Sequence, residues 1–166
     1  INPLTKRISA QRYLQLNETV QKQDSETAKS QLKDSYRNRS PNEPQTDYQQ
    51  VLISLFAQES SRDSEYVTNS RSATVKLEIP QSVKEKVIDC WNFIFPYRSL
   101  KLENDRVRAD NFSGTEMSDG EKVGLYLISQ ILLAEKDCIF IIDEPELHLH
   151  KALMVRLWNK LEEYRN

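Results

Sequence analysis

Glycine is scarce in this chain. Only Gly114, Gly120 and Gly124 occur among 166 residues, where a domain of this size usually carries more. Their confinement to one short stretch places the demanding backbone geometry there. Cysteine is scarcer still. Cys90 and Cys138 exclude a disulfide scaffold and read as core-packing thiols, with Cys138 buried, in a reducing, cytoplasmic compartment. No stretch approaches the run of ~18 apolar residues that a membrane helix needs, and the mean hydropathy is −0.67, so no membrane partner is expected. Neither sign of charge dominates: Lys and Arg number 23, Asp and Glu 25, for a net −2. A broadly basic surface for gripping nucleic acid is not evident from this balance, which leaves room for a local patch. The chain opens Ile1-Asn2-Pro3 without an initiator Met or a signal-peptide pattern, which predicts a fragment of a longer protein.

What is present changes along the chain. At 19.4 kDa there is room for a single core. Ile8 to Leu14 reads as a short strand and turn. From Gln21 to Gln50 the only apolar residues are Ala28, Leu32, Tyr36 and Tyr48. Pro41 and Pro44 break any helix there. The segment reads as a solvated helical excursion with a loop, burying little. Tyr48 to Ser60 carries Val51, Leu52, Leu55 and Phe56 at helical spacing, followed by a polar stretch to Ser72. Thr74 to Ile79 alternates as a strand does. Val83, Val87, Ile88, Trp91 and Ile94 mark a helix that Pro96 ends. Leu100–Glu103 and Arg106–Ala109 flank Asn104-Asp105, a two-residue hairpin turn. The last fifty residues are half apolar, in the order helix (119 to 135), strand (138 to 142), acidic turn, helix (150 to 165). Leu153, Leu157, Leu161 and Tyr164 form one stripe of that last helix, with Met154 and Trp158 beside it.

The strand Cys138-Ile139-Phe140-Ile141-Ile142 lacks alternation. It reads as a central strand of a parallel sheet, buried on both faces. It ends in Asp143-Glu144-Pro145, an apolar run into two acids that matches the Walker B pattern. Such a strand delivers its carboxylates to the end of the sheet where ligands bind. Asp143 is the residue to hold Mg²⁺ through water, and Glu144 the general base that polarises the attacking water. The plainer alternative is an acidic turn after a core strand. Asp143, Glu144, Glu146, His148 and His150 also put five potential ligands within eight residues. A transition-metal site is conceivable on that count, but alternating histidines on a short turn read more simply as a surface or interface feature.

The second motif is Met117-Ser118-Asp119-Gly120-Glu121-Lys122 at the start of an apolar helix. It resembles the signature loop of the ABC-type ATPases, Leu-Ser-Gly-Gly-Gln or Leu-Ser-Gly-Gly-Glu. The resemblance implies that Ser118, Asp119, Gly120 and Glu121 meet the γ-phosphate of an ATP held by an opposite subunit, through a hydroxyl, a backbone N–H and the positive helix end. Ser118-x-x-Glu121 is equally a capping box. What separates the readings is co-occurrence: Ser118 and Asp143 stand 25 residues apart, room for one helix, a turn and one strand, in the order the ATPase reading demands.

The run Asp143-Glu144-Pro145-Glu146-Leu147-His148-Leu149-His150 resembles the Asp-Glu-Pro-Glu-x-x-Leu-His run of RecF-like, SMC-like and overcoming-lysogenization-defect (OLD) ATPases, the soluble branch rather than the transporters. It implies that Glu146 to His150 form a loop that crosses the dimer interface, with His150 close to the partner's nucleotide. Relatives carry Pro after the second His; Lys151 here leaves the helix start less sharply set. Ile8-Ser9-Ala10-Gln11-Arg12 looks like the Ile-Pro-Ala-x-Arg strand end of the OLD-like group.

A Walker A loop, Gly-x-x-x-x-Gly-Lys-Ser/Thr, does not occur, and the switch histidine would lie beyond Asn166. The expected fold is therefore α/β: part of a P-loop NTPase domain, with central parallel strands, flanking helices and a helical insertion. Residues 1–12 and 73–166 would be ATPase core and 13–72 a lid or arm. The expected function of the parent is ATP- and Mg²⁺-dependent hydrolysis at a homodimer interface. Family analogy links it to DNA processing or phage defence with a nuclease or effector partner. The fragment alone would be nearly inactive. Two rivals stand beside this: a non-catalytic interaction module built on an ATPase remnant, and a nucleic-acid binder using Lys33, Arg37 and Arg39 with Tyr36.

Overall fold

The computed structural model describes residues 5–8, 14–37, 47–72, 81–135, 137–147 and 149–165. Among them are five strands and five α-helices, an α/β chain with one parallel and one antiparallel sheet. The strand expected at 74–79 lies outside the described residues, as do His148 and the loop with Pro41 and Pro44. No described helix is long and apolar enough to cross a membrane.

The parallel sheet pairs β1 (Thr5–Ile8) with β5 (Ile139–Ile142), residue 5 opposite 139 and residue 8 opposite 142. β1 begins before the expected Ile8. Parallel pairing of the apolar strand is as expected; its burial is not. Phe140 and Ile142 pack toward the helices, but Ile139 and Ile141 are 61% and 50% exposed. Among the described residues one strand and one layer of helices flank β5, so one face stays open. Cys138 at its start is accordingly half-buried, whereas Cys90 is fully enclosed.

The helices form the other layer. α1 (Ser25–Arg37) is capped by Asp24, whose Oδ1 accepts from Thr27 N at 2.9 Å. It is not merely solvated: Ala28 and Leu32 are buried, and Ser54 Oγ of α2 donates to the Ala28 carbonyl at 3.1 Å. α2 (Tyr48–Ser72) runs 25 residues, past Ser60. Its second half needs no apolar stripe, because the helix is already nucleated. Ser60, Ser64 and Thr68 bond back to carbonyls four residues earlier.

α3 (Val83–Ile94) starts at a Ser82/Glu85 capping box and stops before Pro96. Trp91 is buried on Phe95, ring centres 4.4 Å apart, with its indole N–H on the Arg98 carbonyl at 2.8 Å. β2 (Leu100–Glu103) and β3 (Arg106–Ala109) pair in the expected register around Asn104 and Asp105. Both turn residues have positive φ, 51° and 57°, the geometry of a type I′ hairpin. β4 (Phe112–Ser113) adds a short third strand. α4 (Asp119–Leu132) and α5 (Lys151–Arg165) complete the layer. Leu157 and Leu161 are buried, with Leu153, Met154, Trp158 and Tyr164 packed at the edge, as the stripe predicts.

Candidate functional site

Asp143 follows β5 and extends the ladder by one bond, its N–H donating to the Ile8 carbonyl at 2.9 Å. Strand alternation then sets Asp143 on the same face as Ile141 and Arg7. Arg7 uses this placement: Nε and Nη2 both donate to Asp143 Oδ2, at 2.8 and 2.7 Å. Asp143 Oδ1 has no protein partner among the described residues. The Arg7 and Asp143 side chains are 64% and 33% exposed, so the pair contributes at most ~1 kcal/mol to folding.

Glu144 leaves the strand in the left-handed region, φ 44°. That conformation costs a non-glycine residue about 1–2 kcal/mol and swings Glu144 out of the sheet. Its exposed carboxylate meets no partner among the described residues. Pro145–Leu147 forms a single 3₁₀ turn, held by Leu147 N on the Glu144 carbonyl at 3.2 Å. Leu149 is buried and pins the turn to the core. His150 then starts α5: its carbonyl accepts from Leu153 N (2.8 Å) and Met154 N (3.1 Å), and its Nδ1 accepts from Ala152 N at 3.3 Å. The imidazole thus caps the helix that Lys151, in place of Pro, would leave loosely defined. An Nδ1 acceptor requires the proton on Nε2, which leaves Nε2–H as a donor.

At the other motif the capping box is realised. Glu121 N donates to Ser118 Oγ at 3.3 Å, and Glu121 Oε2 accepts from Ser118 N at 2.8 Å and Ser118 Oγ at 2.9 Å. Arg98 approaches the same buried carboxylate at 3.1 Å. Glu121 is therefore an interior group here. Ser118 and Asp119 stay exposed and Gly120 half-buried at the helix start, the part of the motif an anion can reach. No hydrogen bond or ion pair between described residues joins this cluster to Asp143 or Glu144.

For a divalent ion, Asp143 would offer its one open carboxylate oxygen. One open carboxylate oxygen at a strand end suits Mg²⁺, which keeps most of its waters and takes one or two carboxylates plus phosphate. A zinc site needs three or four protein ligands, and among the described residues no group of three His, Cys, Asp or Glu is gathered. No family model matches the chain, and no curated protein or solved structure matches it.

Of the cations expected to contact nucleic acid, Lys33 is exposed but already paired. Lys33 pairs with Glu135 at 3.3 Å, and the Tyr36 hydroxyl donates to Gln130 Oε1 while Lys6 lies 4.8 Å over its ring. Burial holds the Lys6 ammonium below its ordinary pKa. Arg39 lies outside the described residues. Sequence reasoning missed Arg7 and Arg98. Both reach their carboxylates through tertiary placement, 136 and 23 residues away in the chain, and no local spacing marks them.

Proposed function

We propose that the chain belongs to an ABC-type, Mg²⁺-dependent ATPase of the RecF/SMC/OLD-like kind, in which two subunits close over two ATP molecules. The observation that carries this is the end of β5. A parallel strand presents Asp143 with one open carboxylate oxygen and turns Glu144 out at φ 44°, so two adjacent acids occupy two different environments. Asp143 would hold the metal, which supplies charge neutralisation for the phosphates. Glu144, exposed and unencumbered, is suited to orient and deprotonate water. Ser118, Asp119 and Gly120 offer the start of α4 to the γ-phosphate of the opposite subunit, with Glu121 bracing that start from inside. His150, whose Nδ1 is taken by Ala152 N, would keep Nε2 for the partner's nucleotide. The Walker A loop, absent from these 166 residues, has to come from elsewhere in the assembly. Work on DNA, with a nuclease or effector partner, is the coupling this reading favours.

The test is ATP turnover by the full-length protein beside Glu144→Gln. The variant keeps the shape and removes the base. Turnover should fall at least ~10²-fold, and an ATP-bound dimer should accumulate on size-exclusion chromatography. A second reading, a non-catalytic interaction module, draws on the engagement of Ser118 and Glu121 in the capping box. It expects no turnover in the parent and no effect of Glu144→Gln.

A further inference from the structure

We propose that Arg7 gates metal entry at Asp143, making occupation by a divalent cation depend on nucleotide. The proposal rests on Asp143 being the metal carboxylate. Arg7 pairs with Ile141, two residues before Asp143 and on the same face. Both of its facing nitrogens converge on Oδ2, at 2.7 and 2.8 Å, and no other carboxylate lies within ion-pair distance of it among the described residues. The guanidinium therefore has two opposed effects on a cation approaching Oδ1. It fixes the carboxylate in one orientation, which is worth the freedom of one short side chain. It also sets a full positive charge within a few ångströms of a doubly charged ion, and that repulsion outweighs the gain from ordering even at high dielectric.

A metal alone thus meets a carboxylate already neutralised by Arg7. The open site changes when a polyphosphate arrives. Arg7 is mostly exposed, free to swing, and its planar fork matches phosphate oxygens as well as it matches a carboxylate. Once Arg7 turns to phosphate, both Asp143 oxygens face the metal. Metal and nucleotide then load together, and Arg7 is a positioning residue for that step.

The experiment is Mn²⁺ binding by electron paramagnetic resonance on the full-length protein, with and without a non-hydrolysable ATP analogue. Arg7→Gln keeps an N–H donor and removes the charge; Arg7→Lys keeps the charge; Asp143→Asn removes the ligand. Without nucleotide, Arg7→Gln should bind Mn²⁺ roughly tenfold more tightly than the parent, a change on the scale of one such charge repulsion in a wet site. Arg7→Lys should stay within about twofold. The analogue should then enhance Mn²⁺ binding far less in Arg7→Gln than in the parent. If Asp143→Asn loses Mn²⁺ but Arg7→Gln binds no more tightly, the gate is refuted and the metal assignment stands. If Asp143→Asn binds Mn²⁺ as the parent does with the analogue, the metal assignment itself fails. Superimposable circular dichroism melts of the Arg7 variants separate either result from misfolding.

Discussion

Gly124 carries a packing constraint that its place in the middle of α4 conceals. A Cβ added there would lie 2.7 and 2.8 Å from Phe95 Cε2 and Cζ, and Phe95 is itself buried against Trp91. Glycine in a helix interior ordinarily costs about 1 kcal/mol relative to Ala. Gly124→Ala should nevertheless destabilise, by about 1–3 kcal/mol, because overpacking outweighs the propensity gain. Urea unfolding measures it, and Phe95→Leu in the same background should restore most of the loss. A Gly124→Ala protein at or above parental stability refutes the contact. The sequence marks the glycine-bearing stretch, but its pattern points to phosphate approach at Gly120. Gly124 answers to a ring that arrives from the residue just past the end of α3, which no local pattern encodes.

At the scale of elements, α5 is fastened to α3 by a polar clasp beside its apolar stripe. Asp89 of α3 accepts from the Tyr164 hydroxyl and from Lys160 Nζ at 3.4 Å. The Tyr164 bond first, then Lys160, holds the Asp89 carboxyl below its usual value. Burial first, then Asp89, pushes Tyr164 up to about 12. The signs follow. A depressed carboxyl stabilises above its unfolded pKa of ~3.9 and loses that contribution as pH falls through the folded value. A raised phenol stabilises fully below ~10 and loses its part as pH climbs toward about 12. Asp89→Asn should therefore flatten the acid limb of a pH–stability profile, while Tyr164→Phe should remove the loss between those alkaline limits. Thermal melts across pH check both, and limbs unchanged in the variants refute the clasp. The hairpin, α3 and the start of α4 are legible in the residues, because caps, Pro96 and Asn104-Asp105 act within a few positions; α4 stops at Leu132, short of the expected 135. The length of α2 is not legible. Its polar half is helical by continuation from a nucleated apolar half, and composition alone reads it only as a polar stretch.

For the molecule as a whole, a buried polar cluster ties the α1–α2 arm to the core. Tyr126 Oη of α4 donates to both Asp47 oxygens at 2.9 and 3.0 Å, and Gln130 Nε2 donates to Oδ2 at 2.9 Å. The Tyr36 hydroxyl reaches Gln130 from α1, and Tyr48 Oη donates to the Lys122 carbonyl at 2.8 Å. Arm and α4 thus share one buried carboxylate. Removing a donor leaves that buried group less well satisfied, at about 1–3 kcal/mol. Tyr126→Phe should lower stability by that amount and speed proteolysis within α1. If the arm is instead an independent module, the melt of α3–α5 is unmoved.

The primary structure alone set the local features: where α3, α4 and α5 start and where α3 stops, the hairpin with its two left-handed residues, the stripe of α5, and the apolar strand running into two acids. Each depends on forces acting over a few residues, namely capping, proline geometry, turn chirality and side-chain periodicity. Long-range packing was needed for Arg7 to grip Asp143 and for Arg98 to brace Glu121. It also left Ile139 and Ile141 open while covering Phe140 and Ile142, and it brought Phe95 into the space over Gly124. Those outcomes depend on which surfaces meet once distant parts of the chain fold back on one another, and an ion pair or a ring contact made that way leaves no periodicity to read.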